Sequence, residues 1–85
     1  MISYEVFLSA NAEKQLDKLP KQIASPLINS IDRLAQDPRP NGCKKLKGRN
    51  AYRIRSGNYR IIYEIQDGIL LVEVVAIGHR KDIYQ

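Results

Sequence analysis

The chain has 85 residues, 44% of them hydrophobic, with 5 glycines and 4 prolines, which suits one folded domain over residues 1–85 and excludes a disordered chain or a second domain. Fourteen Lys and Arg against nine Asp and Glu give a net charge of +5, so a polyanionic partner is expected, either nucleic acid or an acidic protein. A lone cysteine, Cys43, excludes an internal disulfide and a cysteine-based metal knuckle. The first residues lack the basic and apolar stretches of a secretory leader and no run is long enough to span a membrane, so a cytoplasmic chain without membrane contact is expected.

Ile2, Tyr4, Val6 and Leu8 alternate with Ser3 and Glu5, which predicts a first strand. Ser9 is placed to cap a short helix marked by Ala12, Leu16 and Leu19 and closed by Pro20. Ile23, Leu27, Ile31 and Leu34 mark the face of a second helix that stops at Asp37-Pro38. Pro26 leaves two readings open: a helix from about Lys21 that contains it, or a helix capped by Ser25 with Pro26 at its first position. Residues 38–50 are rich in turn formers and positive charge, with Leu46 the only strongly apolar side chain, and are expected to form an exposed basic loop. Strands over Ala51–Ser56, Tyr59–Gln66 and Ile69–Ile77 follow, joined by turns at Gly57-Asn58 and Asp67-Gly68. The predicted class is α+β: a first strand, then two helices packed on one face of a mostly antiparallel sheet whose three last strands form a meander, with the opposite face open.

If both turns have two residues, Arg55 faces Arg60, Arg53 faces Ile62, and Ile62 faces Glu73. One face then gathers Tyr52, Ile54, Tyr59, Ile61, Tyr63, Ile65, Leu70, Val72, Val74 and Ala76 as a core, and the other gathers Arg53, Arg55 and Arg60. Directly opposed arginines repel, which a sequence selected for stability alone would avoid. Glu64 and Glu73 share that face, so a charge-mixed solvated surface is the alternative to a functional cluster. Beyond the last strand, Gly78-His79-Arg80-Lys81-Asp82-Ile83-Tyr84 brings a histidine, two cations and an aromatic to the end of the same sheet.

The stretch Ala51-Tyr-Arg-Ile-Arg-Ser-Gly-Asn-Tyr-Arg-Ile-Ile-Tyr63, the run Gly78-His-Arg-Lys-Asp-Ile-Tyr84 and the segment Lys44-Lys-Leu-Lys-Gly48 resemble the RelE/ParE toxin superfamily, in its RelE-like branch. The resemblance covers nearly the whole chain. It implies the toxin half of a type II toxin–antitoxin pair, an endoribonuclease that enters the ribosome and cleaves messenger RNA, and a hetero-oligomer with a cognate antitoxin. Carried over by position, the family's functional residues fall on Arg53, Arg60, Arg80 and Tyr84, with Arg55 and His79 beside them.

RNA carries its own nucleophile in the 2′-hydroxyl, so cleavage needs in-line geometry, removal of a proton, and neutralisation of the charge that develops on phosphorus. Metal-independent cleavage without a cofactor is expected, because the sequence places no dense group of carboxylates near the arginines. Arg60 and Arg80 are the expected phosphate clamps, since a guanidinium matches two phosphate oxygens. Tyr84 is expected to stack on a base. Arg53, Arg55, Lys44, Lys45, Lys47 and Lys81 are expected to hold the RNA backbone. RelE has lysines where this chain has Arg53 and Arg55, and arginine cannot serve as a base, so His79 is the first candidate for that role. Only Gln85 follows Tyr84, where some members continue into a helix, so Tyr84 is expected to be mobile until a partner orders it. A ParE-like inhibitor of DNA gyrase without nuclease chemistry, and a non-catalytic nucleic-acid-binding module, are the competing readings.

Overall fold

In the computed structural model, which describes residues 3–48 and 50–81, β1 (Glu5–Leu8) turns Val6 and Leu8 into the core beside Tyr4 and leaves Glu5 and Phe7 outside. Ser9 caps α1 (Ala10–Asp17) through a 3.0 Å bond accepted from the Ala12 amide. α2 runs over Lys21–Arg33 with Pro26 inside it, which decides between the two readings of that proline. Pro26 has no N–H to offer the carbonyl four residues back, but Gln22 and Pro26 are both exposed, so water can satisfy that carbonyl. Leu27 and Ile31 bury against the sheet, and Leu34 continues the row just past the helix end.

Five strands form one sheet in the order β1-β5-β4-β3-β2, with β2 at Lys44–Lys45, β3 at Ala51–Ser56, β4 at Tyr59–Gln66 and β5 at Leu71–His79. β2 lies within the segment expected to be loop: Lys44 pairs with Arg53 and Lys45 with Tyr52. The sheet is mixed, because β1 lies parallel to β5 while the other three pairings are antiparallel. Both helices precede the meander in sequence and pack on the sheet face that holds Ile54, Ile61, Tyr63, Ile65, Val72, Val74 and Ile77. The Tyr63 hydroxyl, fully buried, donates to the Pro38 carbonyl at 2.7 Å and so ties the segment after α2 to the centre of the sheet.

Two irregularities change the expected register of β5. The β4–β5 connection is a four-residue turn, Gln66 pairing with Leu71, and not a two-residue hairpin at Asp67-Gly68. Asp67 is held by Tyr4 and Arg39 and opens a 3₁₀ turn, which closes on Leu70 in the left-handed region at φ 52°. Leu70 is exposed and joins neither core cluster, contrary to its expected place. Further along, Tyr63 pairs with Val74 but Ile62 with Ala76, so Val75 is an extra residue in a β-bulge. The Val75 carbonyl is taken by Ser9 Oγ at 3.2 Å and Asn11 Nδ2 at 3.1 Å, both donated from the start of α1. The bulge inverts the alternation beyond it: Ile77 enters the core and Ala76 moves to the opposite face; the two residues added by the longer turn and the one added by the bulge together set Ile62 against Ala76 where Glu73 was expected. That opposite face is not fully open either, for Leu46 folds over it to make a second cluster with Ala51 and Ile62, flanked by Val75 and Ala76.

Candidate cationic site on the outer sheet face

The sheet face away from the helices is ordered in rows by the strand register. At one end Arg55 faces Arg60, which faces Gly78; in the next row Lys44 faces Arg53, which faces Ile62. The Leu46 cluster forms an apolar belt in the middle. Past it, Ala51 faces Glu64, Glu64 faces Glu73, and Glu73 faces Phe7. Cations and acids therefore share the face but occupy opposite ends of it, and no ion pair joins them among the described residues. The one ion pair there, Arg39 with Asp67 at 2.8 Å, lies elsewhere.

Arg53 is the residue most affected. It is 8% exposed, and its Nε, like that of Arg60, is buried without a hydrogen-bond partner among the described residues. Burial, then the charges of Arg55 and Arg60, push its pKa down; guanidinium nevertheless keeps its proton in proteins. The cluster is thus a fixed positive field whose potential is raised by exclusion of water.

The structure brings some of the expected residues together and separates others. The Arg80 amide donates to the Asn58 carbonyl at 2.9 Å, which holds the chain at Arg80 beside the β3–β4 turn at the Arg55–Arg60 end of the sheet. Lys81 and Lys47 are exposed, and Lys45 pairs with Tyr52, a core-side residue, so it projects to the helix side of the sheet. Tyr84 lies outside the described residues. His79 faces Tyr59 across the ladder and packs edge-on against its ring, with centroids 5.5 Å apart, on the helix side. The bulge at Val75 moved it there: without the extra residue His79 would share a face with Arg60. Its Nδ1 accepts from the Lys81 amide at 3.2 Å, which leaves Nε2 to carry the proton of a neutral ring. In this arrangement His79 has no free lone pair and does not reach the arginine face, so the structure does not gather it with Arg60 as the sequence reading did.

Two groups of residues were not anticipated. Arg33 and Asn41 join Lys44, Arg53 and Arg55 around a cavity at the sheet edge. Arg33 in the last turn of a helix reads as a complement to the helix dipole, and nothing in its spacing marks it further. The second group is a tie on the far side: Arg39 forms a bidentate pair with Asp67, lies 5.2 Å above the Tyr52 ring and donates to its hydroxyl at 3.2 Å, while Tyr4 donates to Asp67 at 2.6 Å. Arg39 and then Tyr4 hold the Asp67 carboxyl below the ordinary aspartate range.

Residues 6–84 match the family model described as ParE toxin of type II toxin-antitoxin system, parDE. The toxin RelE of Mycobacterium tuberculosis is 33% identical over 90 residues, covering 96% of this chain and 87% of that protein. Among solved structures, the toxin–antitoxin complex RelBE2 from M. tuberculosis matches with a TM-score of 0.84 at 28% identity, over 96% of this chain and 97% of the matched one. The archaeal RelE–RelB complex from Pyrococcus horikoshii matches at 0.83 and 26% identity, over 96% and 100%. The chain belongs to the RelE/ParE superfamily of toxins from type II toxin–antitoxin systems.

Proposed function

We propose that the chain is a ribosome-dependent endoribonuclease that cleaves messenger RNA by attack of the 2′-hydroxyl on the adjacent phosphorus. The observation that carries this reading is the cluster of Arg53, Arg55 and Arg60 on one sheet face, with Arg80 tethered to the same end and no acid among the described residues paired to any of them. Arg60 and Arg80 neutralise the phosphorane as it forms, which is where preorganised positive charge acts most strongly. Arg53, Arg55 and Lys44 hold the flanking phosphates, Lys47 and Lys81 add to the field around them, and Tyr84 stacks on a base to keep the nucleotide splayed for in-line attack. Arginine cannot take the proton and His79 faces away, so the proton of the 2′-hydroxyl passes to water as the 2′-oxygen bonds phosphorus; the P–O5′ bond breaks to leave a 2′,3′-cyclic phosphate, and the departing 5′-oxygen takes a proton from water or the Tyr84 hydroxyl.

The same cations are the surface an antitoxin must neutralise. The matched M. tuberculosis and P. horikoshii structures are complexes of a toxin with its antitoxin, which supports a hetero-oligomer in which an acidic or amphipathic antitoxin segment covers the arginine face. The test is inducible expression followed by primer extension on a defined messenger, with wild type, Arg80→Ala and Tyr84→Ala compared. Cuts within translated codons that vanish in both variants are expected. Because the family model bears the ParE name, gyrase inhibition is the second reading; growth arrest with intact messenger and damaged DNA would establish it and overturn the nuclease.

A further inference from the structure

The open edge of β3 leads into a cavity of about 490 Å³ that joins the arginine face to the helix layer. β2 pairs only with Tyr52 and Arg53, so from Ile54 onward β3 has no strand on that side among the described residues. The last turns of α2 and the segment after it close the cavity, which is lined by Ser30, Arg33, Asn41, Lys44, Arg53 and Arg55. Four of those side chains are cations, and no carboxylate among the described residues lines the space. Ser30 and Arg33 are three apart on α2 and so lie on one face of the helix.

Arg53 links this cavity to the outer face. The residue is 8% exposed, lines the cavity, and its buried Nε has no hydrogen-bond partner among the described residues. A buried donor such as this Nε, left without an acceptor, is a cost that folding does not require, and an entering anion would remove it. Charge and size choose the anion. One carboxylate offers two acceptor oxygens and a single charge, which leaves most of four cations uncompensated; a phosphate group suits the forks of two arginines at once. The volume falls in the range of small-molecule sites and exceeds what a bare ion fills. Pro40 and Ile54 supply apolar wall beside the cations.

We propose that this cavity is a nucleotide subsite in which Arg33, together with Arg53 and Arg55, grips a phosphate while Pro40 and Ile54 seat the attached sugar and base. It deepens the ribonuclease reading by adding Arg33 and Asn41 to the surface that holds RNA, and rests on that reading only for the source of the nucleotide. Arg33 acts as a binding residue away from the arginines assigned to the reacting phosphate.

The test uses the full-length isolated protein, labelled with ¹⁵N and titrated separately with inorganic phosphate, adenosine 3′-monophosphate and a short single-stranded RNA carrying 2′-O-methyl sugars. Amide shifts centred on Ser30, Asn41 and Gly42 are expected. Arg33→Gln should weaken binding roughly five- to tenfold, the loss of about one charge-assisted contact. It should also flatten the dependence of log K on log salt for the RNA by about 0.7, the contribution of one phosphate on a single strand. Arg33 is exposed, so the variant should keep the wild-type circular dichroism. Shifts with the mononucleotide as well as the RNA would make a free nucleotide a source, and shifts with RNA alone would make it the messenger; both support the subsite. Absence of shifts at Asn41 and Gly42, or wild-type affinity in Arg33→Gln, would overturn it. So would a glutamate-rich peptide that shifts these amides at lower concentration than an RNA of equal charge, since the cavity would then serve a protein partner. Binding here requires neither ribosomes nor cleavage, so intact messenger in cells beside normal binding at Arg33 would remove the nuclease reading and leave the subsite.

Discussion

Replacing Arg53 with methionine puts the cationic cluster on a measurable scale, because the change keeps a long linear side chain and removes only the charged, hydrogen-bonding head. Arg53 carries a buried Nε without a partner, and leaving such a donor unsatisfied costs about 1–3 kcal/mol. It also lies diagonal to Arg60 and two residues from Arg55 on the same face, where like charges add a few tenths of a kcal/mol. Loss of the hydration that the 8% exposed remainder enjoys offsets part of this gain. A net stabilisation of about 1–2 kcal/mol is expected, which for a domain of this size raises Tm by roughly 5–15 °C. Urea and thermal unfolding should be measured at about 0.1 M and 1 M salt, between which the screening length falls from roughly 10 Å to 3 Å. Wild type should gain more from salt than Arg53→Met does. A variant no more stable than wild type, or one with an unchanged salt response, would refute the account of Arg53 as an uncompensated buried cation.

Tyr63→Phe should cost about 1–2 kcal/mol in urea unfolding, because it leaves the Pro38 carbonyl buried without its donor. Ile77→Ala should cost roughly 2–5 kcal/mol and Ala76→Val much less, a contrast that inverts if Val75 is not a bulge. Asp67 has a folded pKa below its unfolded one, so its contribution is fully present above the ordinary aspartate value near ~3.9 and is lost as pH falls through the folded pKa. The difference in Tm between wild type and Asp67→Asn should therefore shrink towards zero across that acid window, and a difference that stays constant to pH ~2 would count against the tie to Arg39 and Tyr4.

The parts of the fold that were legible in the sequence are those fixed by local alternation and short turns. Tyr52, Ile54, Ile61 and Tyr63 fall on the core face, and the two-residue turn at Gly57-Asn58 sets Arg55 opposite Arg60, because both depend on residues close together in the chain. The β5 register was not legible, since its bulge is made by Ser9 and Asn11, more than sixty residues away, reaching the Val75 carbonyl. That single residue explains three departures at once: Ile77 inside, Ala76 outside, and His79 on the wrong face for the role its neighbourhood in sequence implied. The four-residue turn is not written in local sequence for a similar reason, as Asp67 answers to Tyr4 and Arg39 and not to Gly68. Lys44 and Lys45 carry no strand pattern of their own and pair only because β3 offers them an edge. Arg33 was invisible as a site residue because its relation to Arg53 exists only once the helix is laid across the sheet.

The separation of charge on the outer face has a consequence for how long the protein lasts. With these cations unpaired among the described residues, any polyanion that settles on them stabilises the folded chain by mass action, about 2.7 kcal/mol at a hundredfold excess over Kd. Proteases that act on transiently opened molecules read that difference directly. The lifetime of the molecule then depends on how often its basic face is occupied, so binding sets abundance as well as activity.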